Sequence, residues 1–193
     1  CGTDLKIFRG DIPVRYPRIM GHEMIGKIVT APAETGLELG CRVVVNPVLS
    51  CGQCFYCQAD QENLCPSGFL LGRDKNGGFA DYVCVPAEAV FPLPSQISSA
   101  CAPLLQVMTT CHHAQNLSSV NTGDTVVVLG LGVSGLLHVQ LAKARGASCV
   151  IGVTGSPVRR SMAEKLGADE TFSPDEDVTQ EIHKLTGGRG ADL

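Results

Sequence analysis

The feature that most constrains this chain is a cluster of four cysteines within fifteen residues. The cluster consists of Cys51, Cys54, Cys57 and Cys65. Two consecutive Cys-x-x-Cys steps bring three thiolates into one tight loop, and Cys65 returns after seven residues to complete a tetrahedral set. Structural zinc sites use four such ligands and keep no open position. A redox pair or two disulfides are the alternatives, and the spacing favours a structural zinc lobe.

Composition excludes several classes of protein. The chain has 193 residues, of which 44% are hydrophobic, and a formal net charge of −4. It carries no basic stripe, which argues against a nucleic-acid partner. It has no apolar run near the roughly 20 residues that a membrane-spanning helix needs, so no membrane partner is expected. Ten cysteines, only four of them clustered, favour a reducing compartment, and we therefore expect a cytoplasmic protein.

The first part of the chain has the pattern of a β-domain. Residues 25–29 form an extended run, and residues 41–45 have the composition of a buried strand. Residues 77–85 are predicted to form another strand, which stops at Pro86. Short strands separated by glycine and proline turns indicate a partly closed β-domain.

The pattern changes near residue 98. Helical spacing runs over 98–116, with a break expected at Pro103. A turn follows, and we place the domain boundary there, with a first domain over 1–119 and a second over 120–193. The second domain alternates strands and helices, which indicates a parallel sheet. Its predicted elements are strands at 125–129 and 148–153, helices at 133–145 and 157–166 with Ser156 as N-cap, a helix capped by Ser173 and ending at residue 186, and a third strand beginning at Asp192.

A glycine-rich turn connects the first strand and helix of this second domain. Residues 130–135 fit the pattern G-x-G-x-x-G, follow a β-branched run and open a helix. The first glycine makes the turn, the second lets backbone amides approach a pyrophosphate, and the third lets helix and strand pack closely. A plain strand–helix turn is the alternative. The pattern predicts a dinucleotide site formed by Gly130, Leu131, Gly132, Val133, Ser134 and Gly135.

The end of the second strand in this domain bears on cofactor choice. A site selective for NAD usually has an acidic residue there, to hold the ribose 2′-hydroxyl. This chain has Thr154, Gly155 and Ser156, followed by Arg159 and Arg160. The absence of a carboxylate removes repulsion toward a 2′-phosphate, and a nearby arginine can pair with it. The segment therefore favours NADP over NAD, unless Arg159 belongs only to a solvated helix face.

The order of these motifs resembles the zinc-dependent medium-chain alcohol dehydrogenase family. The motifs are Cys-Gly-Thr-Asp at 1–4, Gly-His-Glu at 21–23, the four-cysteine lobe and G-x-G-x-x-G. The resemblance covers essentially the whole chain. It implies an α/β plus β fold, in which a GroES-like, partly closed β-barrel catalytic domain precedes a Rossmann domain with a doubly wound parallel sheet. It also implies a catalytic zinc in the cleft between the domains.

The resemblance assigns roles to residues near the start of the chain. Cys1 and His22 would bind the catalytic zinc, and Glu23 would be a neighbouring carboxylate that sometimes binds it directly. Thr3 would touch the substrate hydroxyl, and Asp4 would brace His22. The chemistry agrees, because a catalytic zinc has three protein ligands and one open position. An aspartate beside the imidazole would fix its tautomer and raise its basicity.

The third protein ligand departs from the family pattern. Many relatives have Cys, Asp or Glu in the interdomain helix, where this chain has Gln106. Zinc bound by Cys1, His22 and Gln106 would carry a net charge of about +1, whereas a further thiolate or carboxylate ligand would make the site neutral. The extra charge would lower the pKa of a bound alcohol more than a neutral site does, unless Glu23 also binds and cancels it. Gln106 as an ordinary helix residue is the alternative. His112 and His113 are adjacent on a helix, so their side chains diverge and we expect both to be structural.

The resemblance implies reversible alcohol oxidation by the parent protein, with two zinc ions and NADP or NAD. The substrate would be a secondary alcohol, a polyol or a sugar, and the assembly a homodimer or homotetramer. Some relatives have a relay histidine where this chain has Lys6. A zinc-free quinone or enone reductase and a non-catalytic zinc-stabilised binding module are the alternatives. Because the chain opens on Cys1 rather than Met, we expect its natural N-terminus to be missing. A complete Rossmann sheet has six strands and this chain supplies two and the start of a third, so we also expect a missing C-terminal part and an inactive fragment.

Overall fold

The computed structural model describes residues 2–193 and divides into two compact units. One unit extends to Gln106 and the other runs from Val107 to Leu193. The division falls inside a helix, and the functional domains at 1–119 and 120–193 stay a prediction. Within the described residues, no helix combines the length and apolar composition that crossing a bilayer requires.

The first unit contains short strands connected by long loops. Its elements are α1 (Gly2–Arg9), β1 (Ile25–Lys27), β2 (Arg42–Val45), β3 (Val48–Leu49), α2 (Phe55–Gln58), β4 (Phe69–Leu70) and β5 (Val90–Pro92). β1, β2 and β5 form one antiparallel sheet in that order, with Ile25 opposite Val44, while β3 pairs with β4. Both sheets are open within the described residues. Met24, Val45 and Leu49 belong to the core beneath them.

Helix α1 was not predicted from the sequence. Asp4 and Ile7 are its buried residues, and they are three positions apart, so they lie on one side of the helix. Leu5 and Phe8 are exposed, so Ile7 is the one buried apolar side chain of this helix. The apolar residues therefore do not form one stripe, which explains why the periodicity did not indicate a helix.

The prediction of a strand at 77–85 is wrong. This segment is irregular, and its first backbone N–H groups bind a loop instead of a strand. Gly77, Gly78 and Phe79 donate to the carbonyls of Ile19, Gly21 and Met20 respectively. Phe79 and Tyr82 are mostly exposed, so the alternating pattern has no buried face to pair with a sheet.

The second unit is built on a parallel sheet. Helix α3 (Leu104–Leu117) enters it, and the following elements are β6 (Thr125–Leu129), α4 (Val133–Ala144), β7 (Cys149–Val153), α5 (Pro157–Lys165), β8 (Glu170–Phe172) and α6 (Val178–Leu185). The strand order is β6-β7-β8, with Thr125 opposite Cys149 and Ile151 opposite Glu170. The buried Val126, Val139 and Val150 pack α4 against this sheet. The predicted alternation of strands and helices is confirmed.

Two details of the second unit differ from expectation. The third strand is β8, a three-residue segment that sequence patterning missed, although Asp192 and Leu193 do make backbone hydrogen bonds with β6. The N-cap of α6 is Asp177 and not Ser173 as predicted. The carboxylate of Asp177 accepts the N–H of Gln180. Ser156 occupies the N-cap position of α5 as predicted, without a side-chain capping bond.

Candidate metal centres and nucleotide loop

The four clustered cysteines converge on one point. Their sulfur atoms all lie within 4.8 Å of one another. Cys54 Sγ is 3.5 Å from Cys57 Sγ and 3.8 Å from Cys65 Sγ, and Cys51 Sγ is 3.9 Å from Cys57 Sγ. A tetrahedral zinc with bonds of about 2.3 Å needs sulfur–sulfur edges of roughly 3.8 Å. The four thiols therefore fit a structural zinc ion, and they are the one such group of ligands found among the described residues.

Backbone amides favour the anionic form of Cys51, whereas burial and the neighbouring thiols raise the pKa of Cys54 to about 11. The N–H of Cys51 points at Cys65 Sγ at 3.4 Å. Hydrogen bonds from the backbone of Gln53 and then of Cys54 lower the pKa of Cys51 to about 6. The thiolate is the form that binds metal. The nine described cysteines are free thiols, so the cluster does not form disulfides.

His22 and Asp4 form a second polar pair, in the interior of the first unit. His22 is 5% exposed and Asp4 is 8% exposed. Their Nδ1 and Oδ1 atoms are 3.7 Å apart, which is ion-pair distance but longer than a hydrogen bond. The same carboxylate oxygen accepts the N–H of Gly21 at 3.1 Å. His22 Nδ1 is buried and has no hydrogen-bond partner among the described residues.

A groove of about 990 Å³ opens above this pair. Asp4, His22 and Glu23 are among its polar residues, together with Lys27 and Asp81. The mostly exposed Phe79 lies on its wall. Pro103, just before α3, also lines it. A concave site with a few convergent polar groups in an apolar lining is the usual form of a small-molecule site.

The remaining predicted residues of this site are placed in the same unit. Thr3 is half-buried on α1, directly before Asp4. Gln106 is half-buried in the first turn of α3, three residues after the groove residue Pro103. Lys6 is exposed. Cys1 lies outside the described residues, and the ligand set as a whole stays a prediction.

The glycine-rich turn leads from β6 into α4 as its pattern indicates. Gly130 has a φ of 90°, which only glycine adopts without strain, and Gly132 is the N-cap of α4. Gly135 is packed so closely that a Cβ there would lie 1.9 Å from the carbonyl oxygen of Gly130. A Cβ on Gly132 would meet nothing within 4 Å. The third glycine is thus fixed by packing, while the second faces open space.

Arg159 and Arg160, which follow β7, have different environments. Arg160 donates to the carbonyl of Thr154 at 2.8 Å and so stabilises the strand end. Arg159 is exposed on the first turn of α5, close to Gly155 and Ser156 in sequence. Of the two, Arg159 is the side chain that can turn toward a ligand beyond β7.

Sequence reasoning missed the residues that hold the loop before His22. Asn76 Oδ1 accepts the N–H of Ile19 at 3.3 Å, and the N–H groups of Gly77 and Gly78 bind the carbonyls of Ile19 and Gly21. The signal for them is the pair of consecutive glycines. That pair is costly inside a strand and indicates close approach of another backbone.

Two family models match the chain. The model described as the alcohol dehydrogenase GroES-like domain matches residues 1–95. The model described as zinc-binding dehydrogenase matches residues 132–193.

Individual proteins are similar over the whole chain. A sorbitol dehydrogenase of Halalkalibacterium halodurans is 36% identical over 197 residues, and an L-threonine 3-dehydrogenase of Pyrococcus furiosus is 37% identical over 199. Both alignments cover 100% of this chain and 57% of the relative, so the chain spans little more than half the length of these relatives. A structure of a candidate zinc-binding dehydrogenase from Sinorhizobium meliloti, bound to NADP, superposes with a TM-score of 0.90 at 38% identity, over 94% of this chain and 54% of that one.

Proposed function

The chain belongs to the zinc-dependent medium-chain alcohol dehydrogenase family, and from this premise we propose that the full-length protein is a zinc-dependent oxidoreductase. It would transfer a hydride between an alcohol and NAD(P). A secondary alcohol, a polyol or a sugar is the proposed substrate class. Similarity to a sorbitol dehydrogenase and to an L-threonine 3-dehydrogenase supports a secondary alcohol.

The observation that carries this proposal is the burial of His22 beside Asp4. A buried imidazole nitrogen without a partner is costly unless something compensates it. Nδ1 faces Asp4 at 3.7 Å, so a metal would be bound by the other ring nitrogen. A metal-binding histidine commonly has a carboxylate in this position, which fixes the tautomer and the orientation of the ring. The pair therefore fits one end of a catalytic zinc site.

Cys1, Gln106 and Glu23 are the proposed companions of His22. Glu23 lines the groove with His22, and Gln106 follows groove-lining Pro103 by three residues. When bound, zinc would act as a Lewis acid on the alcohol and the nicotinamide would take up the hydride. Thr3, next to Asp4 on α1, would hydrogen-bond the substrate hydroxyl and pass its proton outward.

The nucleotide would bind at the turn between β6 and α4. Its pyrophosphate would face the N-terminus of α4, where backbone N–H groups are unpaired within the helix. We propose NADP as the preferred form, since Thr154, Gly155 and Ser156 offer no carboxylate and Arg159 is exposed nearby. Similar solved structures hold NADP in one case and NADH in another, so the choice of NADP rests on these residues of the chain. A homodimer or homotetramer is the proposed assembly.

Metal analysis and turnover of the full-length protein test the proposal. We expect two zinc ions per chain and turnover of secondary alcohols, polyols or aldoses, faster with NADP than with NAD. One zinc would indicate a binding module that keeps the lobe alone, and no zinc would indicate a reductase of the zinc-free branch. His22→Ala should lose one zinc and all turnover. Thr3→Ala should keep both zinc ions but lose turnover, and undiminished turnover would exclude Thr3 as the relay.

The KM values for NADP and NAD in an Arg159 variant test the role of this arginine. Arg159→Ala should raise the KM for NADP and leave the KM for NAD unchanged. Arg160→Ala is unsuitable as a control because it breaks the hydrogen bond to Thr154. Lys165→Ala, at the other end of α5, removes a positive charge of the same helix and should change neither constant.

A further inference from the structure

Three glycines after the cysteine lobe pack against the segment that carries His22. They are Gly72, Gly77 and Gly78, and we refer to them as the glycine clamp. A Cβ on Gly77 would lie 2.1 Å from the carbonyl oxygen of Gly21, and a Cβ on Gly72 would lie 2.7 Å from the same atom. Real Cβ atoms do not approach main-chain atoms so closely, so only glycine fits at these positions.

Hydrogen bonds join the same two segments. Gly77 donates to Ile19 at 2.8 Å, Gly78 donates to Gly21 at 2.9 Å, and Phe79 donates to Met20 at 2.9 Å. Asn76 adds a side-chain contact to the N–H of Ile19. Three successive residues before His22 thus have backbone partners in the clamp segment, and backbone groups in a buried loop require such partners.

The clamp is itself fixed to the chain on both sides of the lobe, next to β3 and β4. Leu71 is buried and its N–H binds the carbonyl of Pro47. Asp74 closes the turn, since its Oδ2 accepts the N–H of Leu70 at 2.7 Å and its own N–H binds the carbonyl of Leu70. The turn is therefore a rigid support on which Gly72 and Gly77 are presented to Gly21.

We propose that the glycine clamp and Asn76 are positioning residues, which set the place of His22 through the backbone of Gly21. The inference rests on the proposed function, because it concerns the metal that His22 would bind. Gly21 is held from one side by Asp4 Oδ1 and from the other by the clamp. A displacement of Gly21 moves His22 directly, and metal sites respond to errors of about 0.5 Å in ligand position.

The test compares two alanine variants in the full-length protein. Gly77→Ala places a methyl group against the Gly21 carbonyl, while Gly26→Ala, in β1, meets nothing within 4 Å. Neither glycine has a positive φ, so backbone strain is not a confounding factor. The readouts are chelator competition for each of the two metal sites, the visible absorption spectrum after cobalt substitution, and the thermal unfolding midpoint.

We expect Gly77→Ala to weaken metal binding at the His22 site on the order of 10- to 100-fold, the range seen when groups supporting a ligand are altered. Its cobalt spectrum should shift, and its four-cysteine site should keep its affinity. Gly26→Ala should match the wild type in all three readouts. Asn76→Ala, which adds no bulk, should also weaken metal binding at the His22 site. If Gly77→Ala does not fold, this variant alone tests the proposal.

The failures are distinguishable. A wild-type protein that binds metal only at the four cysteines overturns the proposed function, and this inference with it. A wild type with two metals, together with Gly77→Ala and Asn76→Ala variants of unchanged affinity and spectrum, overturns the inference alone. Equal loss at both sites would also overturn it, because it would indicate general destabilisation.

Discussion

One carboxylate oxygen of Asp4 serves two residues of the buried loop: it accepts the N–H of Gly21 at 3.1 Å and faces Nδ1 of His22 at 3.7 Å. Asp4 is thus both a backbone anchor and an electrostatic partner of the imidazole. The two roles can be separated by substitution, since the first needs only an acceptor while the second needs negative charge.

Asp4→Asn should separate these roles. Asparagine keeps an oxygen for the N–H of Gly21, so the unfolding midpoint should change little, while metal affinity at the His22 site should fall on the order of 10- to 100-fold. Asp4→Ala should in addition cost about 1–3 kcal/mol of stability, because the buried Gly21 N–H loses its acceptor. Chelator competition and calorimetry measure the two effects. Metal binding by Asp4→Asn with wild-type affinity would show that the charge of Asp4 does not support the His22 metal site.

The cysteine lobe should depend on each of its sulfurs. Cys57 is its most buried member, and Cys57→Ser replaces a thiolate by a hydroxyl that binds zinc poorly. We expect the loss of one zinc per chain and a lower thermal midpoint. The exposed Cys101 lies outside the cluster, so Cys101→Ser should keep the zinc content and the thermal midpoint of the wild type. Zinc retention by Cys57→Ser would contradict the assignment of four ligands.

The glycine-rich turn offers a matched pair of variants. Gly135→Ala forces a methyl group onto the carbonyl of Gly130 and should cost about 1–3 kcal/mol of stability. Gly132→Ala meets open space and should cost less than about 1 kcal/mol. It should still weaken nucleotide binding about tenfold, because its methyl group would enter the proposed pyrophosphate site. Urea unfolding and titration with NADPH separate the two effects. Unchanged nucleotide affinity in Gly132→Ala would place the pyrophosphate elsewhere.

Asp192 should make the second unit sensitive to acid. Its carboxylate accepts the N–H of Thr125 at 2.8 Å and pairs with Arg189, and these contacts lower its pKa. A carboxyl group with a depressed folded pKa stabilises the protein above its unfolded pKa of about 3.9 and loses that contribution as the pH falls through the folded value. Urea midpoints between about pH 5 and pH 3 should therefore fall more in the wild type than in Asp192→Asn. Parallel curves would contradict the prediction.

The elements that the sequence predicted best are those whose signal is local. The cysteine spacing alone predicts the lobe, because cysteines separated by two residues bring their thiols close together in a tight loop. Strand β6, its turn and helix α4 follow from a β-branched run ending in Gly130 and Gly132. In both cases a short stretch of chain contains all the information needed.

The elements that were missed depend on contacts distant in sequence. Residues 77–85 have a strand-like composition, but the backbone N–H groups of 77–79 bind the loop around Gly21, and no local pattern records that partner. Helix α1 is fixed by the burial of Asp4, whose acceptor role appears only when Gly21 lies beside it. Strand β8 has three residues and is defined by its pairing with Ile151 and its neighbours.

The contact between Gly77 and Gly21 has a consequence for how such a protein can diverge. Main-chain atoms meet on both sides, so no compensating replacement elsewhere can make room for a larger residue. Proteins that acquire new substrate preferences from this scaffold must then keep this backbone contact and vary the exposed residues of the groove instead. A library for directed evolution built on this scaffold should keep codons 72 and 77 fixed and vary the exposed residues around Phe79.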